Sequence, residues 1–292
     1  MQGLPMGLSR DALLILLAGL CWSMSGIGVR LIESATVWQI VLYRSISMSV
    51  FLGTVVFYMT RRNPFVLALR NGVSSWICGF ALVLSYAAGV FALQTTSVAN
   101  TLLLFSTAPF QTAILARIFL GEIVRWRTWA AIILSLTGVW IMISGQSVQS
   151  DIIGDLAALA AAFGFAVFAV GIRNGRDRDM MPAVFWSGIM SLPIMALLSV
   201  LDSGSLDVQP MDAAIALSLG VIQMGMGLVL FTIGSKTMPA AKMTLLALSE
   251  VFFAPLWVWL FLGEIIPLQT LFGGAVILAA VIWNAKETQP TA

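Results

Sequence analysis

Glu250 is the only carboxylate near the middle of a long apolar run in this chain. A charge at such a place costs several kcal/mol, roughly 2.5–3.5 on insertion scales, so its presence needs a reason. It could hold a substrate ammonium or exchange protons to couple a transport step; alternatively it is a structural carboxylate, protonated or bonded to a neighbouring helix. Polar side chains recur around it in a pattern. Asn100, Leu104, Thr107 and Gln111 stand at i, i+4, i+7 and i+11, one stripe of a helix. Lys242, Leu246, Ser249 and Phe253 repeat that spacing beside Glu250. Two such faces suit a shared cavity wall, although hydrogen bonds between helices use the same residue types. Trp22, Tyr86, Phe165 and Phe168 lie deep in other apolar runs, where they either line a pocket that stacks on an aromatic or aliphatic substrate or pack as core. Gln223 and Gly227, with Gly79, leave room for substrate or for close helix contact. The candidate binding set is Trp22, Tyr86, Asn100, Thr107, Gln111, Phe165, Phe168, Gln223, Ser249 and Glu250, with Glu250 as the coupling candidate.

Other chemistries lack their residues. The chain has no histidine, which removes the usual general base, metal ligand and pH switch. There is no Ser-His dyad, no H-E-x-x-H and no aspartate pair within the apolar runs, so no catalytic residue, metal or cofactor is assigned and an embedded enzyme is disfavoured. No G-x-x-x-x-G-K-[ST] occurs, so any transport must run on gradients rather than ATP. Nothing points to nucleic acid, and no appended soluble module would let a sensor report. Cys21 and Cys78 sit in apolar runs and read as small apolar side chains. The 15 methionines suit a pocket of loose specificity or ordinary core.

The elements that carry these residues follow from composition. Hydrophobic residues make up 60% of the chain and charged residues 10%, against about 25% charged in soluble domains. Mean hydropathy is +0.99. Lipid must be the solvent. Cutting at charged and Pro/Gly/Asn clusters leaves ten runs long enough to span, roughly 11–32, 36–59, 73–94, 97–117, 127–145, 153–173, 182–201, 212–234, 239–262 and 267–285. They do not alternate, which excludes barrel strands. Arg10 and Ala12–Cys21 resemble the start of a signal peptide, but the run continues to about Val29 and reads as a helix. With the N-terminus in the cytoplasm, 13 of the 15 basic residues, Lys286 among them, fall on that side. The other face keeps Arg30 and the acidic residues Asp151, Asp155, Asp202, Asp207, Asp212 and Glu264. Both termini are therefore expected in the cytoplasm. Trp126, Trp129 and Trp283 are expected at the membrane surfaces.

The chain also repeats itself. Phe-Leu-Gly-Glu occurs at 119–122 and again at 261–264, an offset of 142. Ala99–Leu104 aligns with Ala241–Leu246 at that offset, and Gly28-x-Arg30 with Gly171-x-Arg173 at 143. Two units, 1–147 and 148–292, each hold five runs. An odd number makes the second unit enter the membrane from the opposite side, the inverted duplication of secondary transporters. The fold class expected is an all-α membrane protein of ten helices around a central cavity. Pro109 aligns with Val251 whereas the ninth run has its proline at Pro255, so the kinks of the two halves are expected at different depths.

The pattern resembles the ten-helix drug/metabolite transporter superfamily of the EamA type. The likeness rests on Leu20-Cys21-Trp22-Ser23, on Tyr43-Arg44, on Ala108-Pro109-Phe110 and on the two Leu-Gly-Glu corners. Within it the chain is most similar to bacterial exporters of aromatic and other bulky neutral amino acids. That resemblance implies export of small metabolites from the cytoplasm across the inner membrane by alternating access, with a proton-coupled multidrug or cation exporter as the alternative. The partners implied are a small-molecule substrate and the lipid bilayer, and a monomer suffices. Arg44 could bind a carboxylate, but the resembling family carries this Arg whatever its substrate. That implies a structural role, snorkelling or a clamp on backbone carbonyls.

Overall fold

The computed structural model describes residues 9–144, 151–263 and 267–285, excluding the side chains at positions 26, 29, 30 and 262. Every regular element among them is helical, as lipid demands when each backbone N–H and C=O must be satisfied within the segment. The first run is two helices, α1 (Arg10–Trp22) and α2 (Ser25–Arg30). After it come α3 (Val37–Thr60), the short α4 (Pro64–Arg70), α5 (Val73–Thr95), α6 (Val98–Phe105), α7 (Ala108–Phe119) and α8 (Trp126–Ile143). The second half holds α9 (Ile152–Asn174), α10 (Met181–Ser203), α11 (Pro210–Leu219), a π-helical turn (Gly220–Gly225) and α12 (Met226–Gly234). It closes with α13 (Ala240–Ala247), α14 (Ser249–Leu262) and α15 (Leu268–Ala285).

Among the described residues, nine helical segments are long and apolar enough to cross a membrane, counting α6–α7, α11–α12 and α13–α14 as single segments. Their ends fall within two or three residues of the runs read from sequence. The first run departs from expectation, because it breaks at Ser23 and Met24 instead of continuing as one helix. A second departure concerns the kinks. The fourth span breaks at Ser106–Thr107 and the ninth at Leu248, and the offset of 142 places Leu248 opposite Ser106. The two breaks are thus equivalent, and Pro255 lies inside α14 without ending it. Proline therefore does not set the ninth-span break.

Most hydroxyls inside the spans are satisfied by their own helix. Ser45, Ser49, Thr112 and Ser199 each donate to the carbonyl four residues back. The repeated corner has a backbone cause. Gly121 and Gly263 have φ of +66° and +67° with open space around them, a left-handed conformation that any side chain would strain. The rest of the second corner, Glu264, lies outside the described residues, as does Lys286.

The helices pair symmetrically. α5 packs on α9 and α1 on α12, the third span with the sixth and the first with the eighth. α3 packs on α10, α7 on α13 and α8 on α15. Exchanging the two halves of the chain maps this set of pairs onto itself. At the α8–α15 crossing Gly138 faces the Gly273 backbone, the close approach small residues allow in lipid. Trp126 and Trp283 are exposed near the ends of these two helices, 6.2 Å apart, whereas Trp129 is half-buried and packs edge-on against Phe110. Cys78 is fully buried and Cys21 half-buried.

Candidate functional site

Three helix breaks and the π-helical turn meet in the middle of the bundle. α1 ends on Trp22, whose ring lies 5.6 Å from Phe165 of α9 and 5.3 Å from Phe231 of α12. Phe165 also touches Phe231 at 5.6 Å and Phe168 at 6.2 Å, while Phe168 stacks on Phe231 at 6.1 Å. Phe105, the last residue of α6, reaches the same cluster at 6.1 Å from Phe165. Phe168 and Phe231 have no exposed surface and form its packed base; Trp22 and Phe165 keep 7% and 9%.

The eighth span is shaped to admit Trp22. A Cβ at Gly227 would overlap the indole, so only glycine allows that approach. One turn earlier, Gln223 donates from Nε2 to the Trp22 carbonyl oxygen at 3.3 Å. Its Oε1 is buried without a partner and Gln223 lines a cavity of about 360 Å³ between α2, α11 and α14. Apart from Ser218 the other walls are apolar, including Ile27, Leu219, Ile222 and Trp257. Trp257 donates to Ser23 Oγ at 2.8 Å, which ties α14 to the first-span break.

The ninth-span break touches the same helix. A Cβ at Gly19 of α1 would overlap Ser249 Oγ and come within 3.3 Å of the Glu250 backbone nitrogen. Ser249 is fully buried and its hydroxyl has no partner. Glu250 sits in the first turn of α14, where the helix dipole favours a carboxylate. It is half-buried, and among the described residues no hydrogen bond or ion pair engages it. The structure thus joins Trp22, Phe165, Phe168 and Gln223 through direct contacts, and it seats Ser249 and the Glu250 backbone against Gly19, three residues before Trp22 on the same helix.

The polar stripe of the fourth span goes elsewhere. Asn100 donates to Asp155 Oδ1 at 2.6 Å, and Gln111 donates to Thr107 Oγ1 at 3.0 Å and to the Leu159 carbonyl at 3.5 Å. Thr107 Oγ1 itself donates to the Leu104 carbonyl. Asp155 and Leu159 both belong to α9, so these hydrogen bonds hold the fourth span on the sixth. Lys242 reaches the Ala285 carbonyl at 3.5 Å, Leu246 is fully buried and Phe253 packs on Phe252. Tyr86 stands apart from the ring cluster, beside Arg44 of α3.

Phe231 was missed from sequence, although Gln223, Gly227 and Phe231 stand four residues apart on one helix face. Glu122 was read only as part of a corner. It accepts from Arg173 Nε at 2.8 Å through one oxygen and from the Ala240 backbone nitrogen at 3.0 Å through the other. Arg173, 9% exposed at its side chain, donates a further bond to the Lys236 carbonyl at 2.7 Å. This tie joins the first half to three segments of the second. Its sequence equivalents are Arg30 and Glu264, of which the Arg30 side chain and Glu264 lie outside the described residues.

The EamA-like transporter family model matches residues 10–144 and again 152–285, one match per half. The chain belongs to the EamA-like transporter family. Similar proteins of known sequence are themselves described as uncharacterized transporters. The one from Archaeoglobus fulgidus is 28% identical over 216 residues, covering 72% of this chain and 74% of its own. YwfM of Bacillus subtilis is 28% identical over 210 residues, covering 69% and 70%. A crystal structure with 17% identity overlaps 95% of this chain and 96% of its own with a TM-score of 0.80, a likeness of fold. For this EamA-like chain, membrane transport is the activity the family assigns.

Proposed function

We propose that this chain is a secondary transporter that exports small metabolites, aromatic and other neutral amino acids foremost, by alternating access across a bacterial inner membrane. The observation that carries the reading is the unpartnered Glu250 carboxylate at a helix break that contacts the Trp22 segment. A substrate ammonium fits an acceptor of that kind, and an apolar or aromatic side chain fits the rings and the apolar cavity beside Gln223. Breaks at midspan free backbone groups only where protein or a cavity satisfies them, and transporters place their sites there.

Under this reading α1 and α2 together are a tenth crossing, broken at Ser23–Met24. Residues 1–147 and 148–292 are then two inverted five-helix repeats with both termini in the cytoplasm. The exchange symmetry of the helix pairs supports that arrangement, and so does the bias of basic residues to one side. The Glu122–Arg173 tie then lies at the cytoplasmic face. Glu250 also supports the alternative, a proton-coupled exporter of cationic drugs, because an unpartnered carboxylate can exchange a proton for a cation.

Proteoliposomes loaded with the purified protein and challenged with a panel of amino acids and cationic drugs separate the two. Flux of L-phenylalanine and L-leucine supports the first reading. Flux of cations alone would transfer the site to the second, and no flux of any compound would sink both.

A further inference from the structure

Arg44 is another charge placed inside a span, in the second turn of α3, and its surroundings are not those of a structural clamp. It makes no hydrogen bond and no ion pair among the described residues, so the expected grip on backbone carbonyls is not formed. Its Nε is fully buried. The residue as a whole keeps some accessible surface.

A second unused donor adjoins it. Tyr86 of α5 is near enough to Arg44 to interact electrostatically, and its hydroxyl is buried without a hydrogen bond. Ser187 of α10 lies next to that phenol; its own hydroxyl donates to the Val184 carbonyl at 2.7 Å, which leaves its oxygen open as an acceptor. Tyr86, like Arg44, retains some accessible surface. Two donors from different helices, one of them cationic, stand beside each other, and the guanidinium has no acceptor. A guanidinium in lipid is costly when bare and pairs best with a planar carboxylate through two parallel hydrogen bonds.

Backbone packing ties this place to the site already described. A Cβ at Gly220 would overlap the Arg44 carbonyl, so α3 rests on the first residue of the π-helical turn at the level of Arg44. Three residues on, the same turn delivers Gln223 to Trp22.

We propose that Arg44 and Tyr86 form an anion subsite that binds the carboxylate of the transported substrate. The guanidinium accounts for the charge, and the phenol supplies one further hydrogen bond. The proposal rests on the amino-acid reading above and adds to it a requirement: compounds lacking the carboxylate should be poor substrates whatever their side chain.

The test compares L-phenylalanine with its methyl ester and with phenethylamine in proteoliposomes and, separately, in thermal unfolding of the detergent-purified full chain. The wild type is expected to prefer the free acid at least tenfold in flux. It should also be stabilised by the acid and not by the amine. Arg44→Gln should bring the acid-to-ester ratio to near one and abolish the stabilisation, Arg44→Lys should keep part of both, and Tyr86→Phe should weaken the acid severalfold while leaving the ester unchanged. If Arg44→Gln does not fold, Tyr86→Phe and Arg44→Lys still decide. An acid-to-ester ratio unchanged in the folded variants overturns the proposal. A membrane phosphate is the rival source of the anion. If the effect of Arg44→Gln on unfolding appears only in vesicles containing phosphatidylglycerol, and not in pure phosphatidylcholine, the lipid holds Arg44 and the substrate reading fails. Stabilisation by the acid, lost in Arg44→Gln, with no flux in any vesicle would uphold the subsite while defeating the transport reading.

Discussion

Removing the Glu122 side chain should weaken the fold more than removing its partner, Arg173. Glu122 accepts two charge-assisted hydrogen bonds, from Arg173 Nε at 2.8 Å and from the Ala240 N–H at 3.0 Å. Its side chain is 19% exposed and that of Arg173 9%. Breaking a buried pair from one side costs about 3–5 kcal/mol, and an exposed pair is worth about 0–1. Glu122 lies nearer the buried end, so Glu122→Ala should cost about 2–3 kcal/mol, leaving a guanidinium with a single acceptor, the Lys236 carbonyl. Arg173→Ala leaves Glu122 still bonded to Ala240 and better reached by water, so about 1–2 kcal/mol is expected. The double variant should cost little more than Glu122→Ala, a coupling of about 1–2 kcal/mol. Glu122→Gln is no rescue. Both carboxylate oxygens accept, and an amide must turn its NH2 toward one of two donors. Unfolding of the four proteins in a denaturing-detergent titration measures the cycle. Additive single effects, or a Glu122→Gln protein as stable as wild type, would refute the reasoning.

Other outcomes follow from the same structure. Phe231→Ala empties the base of the ring cluster. The unfolded reference is already in lipid, so the transfer part is small and the cavity part remains, about 2–3 kcal/mol at ~24 cal/mol per Å³ for ~100 Å³ lost; a thermal unfolding midpoint unchanged from wild type would contradict it. Gly121→Ala and Gly263→Ala meet no neighbouring atoms, so each should cost only the left-handed backbone penalty, about 1–2 kcal/mol, and unequal effects would break the equivalence of the two corners. Gly227→Leu should displace Trp22 and abolish transport of every substrate, and intrinsic fluorescence of the tryptophans reports whether the ring has moved.

Span positions were legible because lipid admits only helices and closed barrels, and continuous apolar runs without alternation fit the helix alone. The repeat was legible because Gly121 and Gly263 answer the same backbone demand. The breaks were not. The proline offset between halves suggested unequal kinks, yet the ninth span breaks at Leu248 with no proline beside it. That break is met by packing against Gly19, a contact no local pattern announces. Trp22, Phe165, Phe168, Gln223, Ser249 and Glu250 were identifiable as polar or aromatic residues at depth. Asn100, Thr107 and Gln111 share that description, but their bonds run to α9 or to their own span, because a helix stripe reads the same whether it faces a cavity or a neighbour. Arg44 shows the converse: nothing in its sequence context separates a clamp from a free guanidinium, and only the missing carbonyl contacts do.

The most direct test of the transport site is Glu250→Gln in proteoliposomes, with counterflow of L-phenylalanine measured with and without a pH gradient. The account predicts a folded protein whose flux falls at least tenfold with or without the gradient. A variant that moves L-phenylalanine as fast as wild type would contradict it.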